Sequence, residues 1–325
     1  MMNNKKNKAF FVIVPILCIL IVGLFFYDRY QTSQLAKKFQ QDSQPVTTDK
    51  EPDQPKETLP AIYCVGDSLT VGTNGNTSYP EYLKNSVDTS INTIGDANVN
   101  SAALTIILGV NPVYLNNVTI PEDTSKVKIS LLNQNGQGQD ALVNSKTGLA
   151  KCTINDIEGT ISYNATNNQL EFARLKAGKS SKITTLTEVK VTKPEITPNS
   201  ILVLFTGSYE ESVQGSLAQY QSQIISAFNT DKYIVVSLTQ NDRDATNNLL
   251  KTTHGDHYLD FKSYLLTDGL KDAKITATSQ DQSAITNKNT PPSLLVDQIN
   301  GNSKYNELLA KQLINKMNAL GYLSN

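Results

Sequence analysis

From Ala61 onward the apolar residues fall into two patterns. Short β-like runs occur at Ala61–Val65 (AIYCV), Ile91–Ile94, Ile201–Phe205, Tyr233–Leu238 and Tyr258–Phe261; the first and third are wholly apolar, and the others carry polar residues at Asn92, Thr93, Ser237 and Asp260. The unbroken runs predict strands covered on both faces. Between and after them the apolar residues recur every three or four positions, around Tyr79 to Asn85, in SLAQYQSQIISAF after Phe205 and in YNELLAKQLINKMNAL near the end. That spacing predicts amphipathic helices. Strands alternating with helices predict an α/β fold with a parallel sheet and helices on both faces.

Between Asn111 and Lys193 the texture changes to β-branched runs such as PVYLNNVTI, KVKISLL, KCTINDIEGTISY, QLEFARL and KITTLTEVKV. Asn135-Gly136 and the polar stretch Asn164 to Asn168 separate some of these runs, as hairpins require. An inserted antiparallel β subdomain of about 80 residues, 111–193, is expected, dividing the α/β domain into 60–110 and 194–325. No repeat at a fixed period is visible in it.

The first 59 residues read differently. Residues 9–27 (AFFVIVPILCILIVGLFFY) form an uncharged run of 19 residues, which as a helix spans roughly 28 Å, the thickness of a bilayer core. A secretory signal peptide is the rival reading, but Asp28, Arg29 and Tyr30 follow where small residues would mark cleavage. Cys18 sits in mid-run after Leu17 and lacks the small residue that lipoprotein processing wants. Lys5, Lys6 and Lys8 before the span place 1–8 in the cytoplasm and the rest outside the cell. Residues 28–59, rich in Pro and charge, are expected to be an unfolded linker reaching roughly 30 Å. The expected localisation is therefore the cell membrane, single-pass, with an extracellular C-terminal domain.

Charge narrows the partners. Lys plus Arg total 29 and Asp plus Glu total 30 in 325 residues, so no basic excess suits nucleic acid. Three cysteines (Cys18, Cys64, Cys152) are too few for a disulfide framework or a thiolate zinc site. Cys64 and Cys152 are expected as buried free thiols, with pairing open if the insertion folds back onto the sheet. The two histidines are His254 and His257. No phosphate-binding glycine loop with its lysine and no metal cluster is present, so neither cofactor nor metal is expected.

The first strand runs directly into Gly66-Asp67-Ser68-Leu69-Thr70, followed by GTNGNTSYPEYL. Downstream stand NTIGDANVNSAALTIILGVNPVYLNNVTIP, SILVLFTGS and PPSLLVDQINGNSKYNELLAKQLINKMNALGYL. Together these segments resemble the blocks of the SGNH, or GDSL, hydrolases over most of Pro60 to Leu323, in the membrane-anchored Gram-positive form with a β insertion. The resemblance implies a flavodoxin-like parallel sheet and a serine esterase acting outside the cytoplasm. It also implies a nucleophilic serine, a base histidine three residues after an aspartate, and an oxyanion hole from the serine N–H, a glycine N–H and an asparagine amide. Such a set is needed because a serine hydroxyl attacks poorly until a base takes its proton, and the oxyanion needs preorganised donors.

Carried over residue by residue, the match is partial. Ser68 takes the nucleophile position within the Gly66-Asp67-Ser68 turn, and Asp297 takes the aspartate. Asn300 stands where the histidine belongs. Tyr209, after Gly207, replaces the oxyanion asparagine, and Asn98 falls at the glycine of the second block. An amide cannot take up a proton near neutral pH, so weak or no hydrolysis is expected. His254 or His257 as a substitute base would sit at the far edge of the sheet; surface or strand-cap positions near Asp256 suit them better. Gln240 to Arg243 reads as a polar turn opening a helix, and Asp281 as a solvated loop residue rather than a cation ligand. Three functions follow. One is an esterase removing small acyl groups from cell-surface carbohydrate. Another is a degenerate module binding cell-wall glycan or an envelope protein. The third is a spacer in an envelope complex.

Overall fold

In the computed structural model, which describes residues 59–72, 75–210 and 214–323, the chain carries its strands in three groups. The first holds β1 (Ile62–Gly66) and β2 (Ile91–Gly95). The second holds β3 (Val113–Leu115), β4 (Val118–Ile120), β5 (Val127–Ile129), β6 (Leu149–Ile154), β7 (Ile157–Asn164), β8 (Gln169–Arg174), β9 (Ser181–Ile183) and β10 (Thr187–Val191). The third holds β11 (Ile201–Phe205), β12 (Tyr233–Val236) and β13 (Tyr258–Leu259). The expected cytoplasmic tail, the membrane anchor and all but the last residue of the linker lie outside the described residues. Among the described residues, no helix is long and apolar enough to cross a membrane.

β1, β2, β11, β12 and β13 form one parallel sheet in the order β13-β12-β11-β1-β2. Period-two alternation sends successive side chains to two cores. Tyr63, Val65, Leu202, Leu204 and Val235 meet Leu104, Leu217 and Leu250 on one face. On the other, Ile62, Cys64, Val203, Phe205 and Val236 meet Tyr79, Leu83, Leu309, Leu313 and Met317. This is the α/β fold expected, with helices on both faces. The chain leaves β1 for β2 on one side and later enters β11 on the other. The gap between the C-terminal ends of β1 and β11 is therefore the topological switch point, where open α/β sheets bind ligands. Approach there is close. A methyl on Gly66 would run into the Phe205 carbonyl oxygen, and one on Gly95 into the Gly66 carbonyl.

Two apolar runs end earlier than their patterns suggest. The run Tyr258–Phe261 is strand only through Leu259, because the Asp260 side chain accepts from the Ser263 N–H and caps a helix Phe261–Tyr264. The run Tyr233–Leu238 is strand only through Val236. Beyond it the Asn247 carboxamide both accepts from Leu238 N and donates to Leu238 O, each at 2.8 Å, replacing ladder partners.

The inserted strands are antiparallel, ordered β3-β10-β6-β7-β8-β5, with β4 paired to β9 apart. The run KCTINDIEGTISY is two strands. Asn155 and Asp156, with φ of 45° and 63°, make the tight turn between β6 and β7. The Asn164 to Asn168 turn joins β7 to β8. Asn135-Gly136 turns a loop closed by a single Leu132–Gly138 bridge, without a strand on either side. Phe172, Ile161, Leu149 and Cys152 continue the apolar core that holds Val65 and Leu204, so the inserted subdomain shares the core of the sheet.

Candidate active site

The Gly66-Asp67-Ser68 turn stands at the switch point because β1 ends there and the helical turn Ser68–Val71 starts at once. Asp67 caps that turn. Its Oδ1 accepts from Leu69 N and its Oδ2 from Ser208 N, both at 3.1 Å, tying the loop after β1 to the loop after β11. Burial pushes the Asp67 carboxyl up to about 6 against the pull of these donors. The tie carries Tyr209, next in the chain, over Ser68.

A second segment arrives from the end of the chain. Asp297 Oδ1 accepts from Ile299 N at 2.7 Å and Asn300 N at 2.6 Å, a local turn that the Leu295–Gly301 bridge closes. Asn302 then caps the final helix Ser303–Ala319 by accepting from Lys304 N and Tyr305 N. Partial burial would raise the Asp297 pKa, but hydrogen bonds from the Asn300 side chain and the two backbone N–H groups hold it below the usual carboxylate value.

These segments meet in a chain of hydrogen bonds. Asn300 Nδ2 donates to Asp297 Oδ2 at 2.9 Å, and Ser68 Oγ donates to Asn300 Oδ1 at 2.6 Å. An ionised carboxylate only accepts, which fixes the amide with Nδ2 toward Asp297 and Oδ1 toward Ser68. Ser68 Oγ also lies 3.0 Å from the Tyr209 hydroxyl. Because the one serine proton is committed to Asn300, the Tyr209 O–H is the donor in that contact. Ser68, Asn300 and Asp297 thus stand in the order of a serine–base–acid relay, with an amide in the place of the base. Ser68 is only 3% exposed.

Two cavities flank this cluster, and Ser68 lines neither. One, of about 850 Å³, is walled by Gln240, Asn241, Asp242 and Arg243 on one side and by Pro292, Leu295, Val296 and Ile299 on another, with Asp297 and Ser208 at its edge. The other, of about 580 Å³, is walled by Asn98, Asn100, Asn144, Lys146, Ser208, Tyr209 and Glu210. Asn98 is exposed on this wall and is not among the hydrogen-bond partners of the Ser68 hydroxyl, which are Tyr209 and Asn300. Gly207 takes a positive φ of 125° between Thr206 and Ser208 and packs beside Leu217 and Leu238.

Some residues stand elsewhere than expected. His254 is buried at the end of the helix Asp244–His254, where Nε2 contacts Gln221 Oε1 at 3.2 Å and burial lowers its pKa to about 4. It is not a surface residue. His257 stacks on Tyr233, and its Nδ1 contacts Tyr233 O and the Tyr322 hydroxyl, at the N-terminal edge of the sheet. Neither histidine touches Ser68.

Asp281 is fully buried instead of solvated. It forms a capping box with Thr278 and accepts from Ser293 N and Oγ. Burial alone would raise its pKa, but these bonds lower it to about 2. Cys64 and Cys152 are free thiols in different cores, each pushed up to about 12 by burial. Gln240 to Arg243, read as a polar turn, does precede a helix but also walls the larger cavity. Its place after the C-terminal end of a parallel strand is the signal that marks such a segment. Asn144 and Lys146, inside the insertion, carried no sequence signal.

No protein-family model matches the sequence, and no curated protein matches it. Among solved structures, the chain is similar to an active-site mutant of a family two carbohydrate esterase from Clostridium thermocellum in complex with celluohexase. The identity is 13% and the TM-score 0.39, and the match covers 83% of this chain and 66% of that one.

Proposed function

We propose that this chain is an SGNH-type esterase fold that binds cell-surface carbohydrate outside the cytoplasm, held at the membrane through residues 9–27, with ester hydrolysis weak or absent. The observation that carries this reading is the 2.6 Å hydrogen bond from Ser68 Oγ to Asn300 Oδ1. For Ser68 to attack an ester its proton must leave. The group in position to take it is an amide oxygen, far too weak a base at neutral pH. In a serine protease, loss of the histidine lowers turnover roughly a millionfold. The serine is also covered by Tyr209 and Asn300, while the flanking cavities remain open for a ligand.

The second reading is a slow esterase. Its support is the retained order of Asp297, Asn300 and Ser68, and the Tyr209 O–H poised to donate to oxygen at that point. Turnover of p-nitrophenyl acetate by the wild-type chain, beside Ser68→Ala, separates the two. Equal background rates support the binding reading; turnover that disappears in the variant supports the slow esterase.

A further inference from the structure

The smaller cavity is built jointly by the sheet and the insertion. Asn144 ends the short helix Ala141–Asn144, and Lys146 follows in a left-handed turn with φ of 51°. The turn between and after them is fastened to the loop that follows β2. Ser145 Oγ accepts from Asn100 N at 3.1 Å, and Thr147 Oγ1 donates to Asp96 Oδ2 at 2.7 Å. Ser145 is 1% exposed and Thr147 8%, and these part-buried ties fix the two exposed side chains at the cavity wall.

Every side chain on that wall is polar, and none is aliphatic. A wall of this kind suits a ligand that carries hydroxyl or amide groups all round. Among the described residues, Lys146 makes no ion pair, and the Glu210 carboxylate is engaged by Ser101 N at 2.6 Å. Ser208 belongs to the walls of both cavities, so the two meet beside Tyr209. The larger cavity adds amide, carboxylate and arginine groups at Gln240 to Arg243 and aliphatic ones at Leu295, Val296 and Ile299, the two kinds of surface that the hydroxyl edge and the C–H face of a sugar ring need.

We propose that the two cavities form one extended groove for a glycan of several sugars passing over Tyr209, with Asn144 and Lys146 of the insertion supplying a binding subsite. This rests on the carbohydrate-binding reading above and assigns the insertion a direct part in it. The test is calorimetric titration of the full chain with chitohexaose and with cellohexaose. Wild type, Asn144→Ala/Lys146→Ala and Asn241→Ala are compared, with thermal melts to confirm folding. The expected result is that at least one hexasaccharide binds, and that each variant weakens it tenfold or more. Binding weakened by Asn241→Ala alone would overturn the insertion subsite and leave the glycan reading standing. Binding that neither variant changes would place the sugar elsewhere and overturn the groove. No binding of either hexasaccharide would overturn the groove together with the carbohydrate reading.

Discussion

Asn300→His tests the relay by supplying what it lacks. The amide already makes both contacts that an imidazole would make, 2.9 Å to Asp297 and 2.6 Å to Ser68. An imidazole holds its two nitrogens about as far apart as the amide holds its oxygen and nitrogen. Its outer nitrogen reaches about one bond length further, however, so the serine or the exposed Val296 to Gln298 segment must give way. With Nδ1–H on Asp297, Nε2 becomes an acceptor facing Ser68 that takes up a proton near neutral pH.

General-base catalysis contributes roughly 10²- to 10⁴-fold. We therefore expect kcat/KM for p-nitrophenyl acetate to rise at least about 100-fold in Asn300→His, equivalent to about 2.7 kcal/mol of transition-state stabilisation. The rate should climb with pH as the imidazole loses its proton, a limb absent from the wild type, and it should vanish in Ser68→Ala/Asn300→His. Tyr209→Asn on top of Asn300→His should raise the rate further, because it uncovers the serine. The assay is initial-rate hydrolysis from pH 5 to 9, with circular dichroism to confirm the fold. A folded Asn300→His protein that hydrolyses no faster than wild type would refute the assignment of Asn300 to the base position.

Other perturbations address the framework. Gly66→Ala places a methyl against the Phe205 carbonyl oxygen at the switch point and should cost about 1–3 kcal/mol in urea unfolding; an unchanged midpoint would contradict the close approach. Asp281→Ala strips the acceptor from Ser293 N and Oγ and from Thr278, a loss of about 1–3 kcal/mol by thermal melt. Because the native Asp281 pKa is about 2 against 3.8 ordinarily, its contribution to wild-type stability is present above 3.8 and fades as pH falls toward 2. His254 has the folded pKa lowered from 6.5 to about 4, so the unfolded chain binds the extra proton between those values and stability falls with pH across that window, by about 3 kcal/mol in all. The difference between wild type and His254→Gln should show that slope. It isolates His254 from Asp67, whose raised pKa of about 6 acts in the opposite direction between 6 and 3.8.

The parallel sheet was legible because its central strands, β1 and β11, are buried on both faces and therefore written almost entirely in apolar residues. Ile201–Phe205 is a strand from its first residue to its last. The ends of β13 and β12 were not legible, because they are set by side-chain hydrogen bonds of Asp260, within its run, and of Asn247, outside its run. The Asn155-Asp156 turn leaves no break in its β-branched run, since it needs only two residues with positive φ. At the site, Asp297 and Asn300 lie together because a local turn closes over three residues. That Asn300 meets Ser68 across 232 residues came from the family resemblance rather than from any local pattern. The cavity walls were hidden most deeply. Asn144 and Lys146 lie far in sequence from every motif, and only the ties of Ser145 and Thr147 to the loop after β2 bring them to the cleft.

The most direct measurement of the central claim is the reaction of the wild-type chain with a fluorophosphonate, read by intact mass. A serine held as a donor to an amide oxygen and covered by Tyr209 should show no adduct, matching Ser68→Ala. A stoichiometric adduct at Ser68 that the variant abolishes would show a working nucleophile and contradict the account.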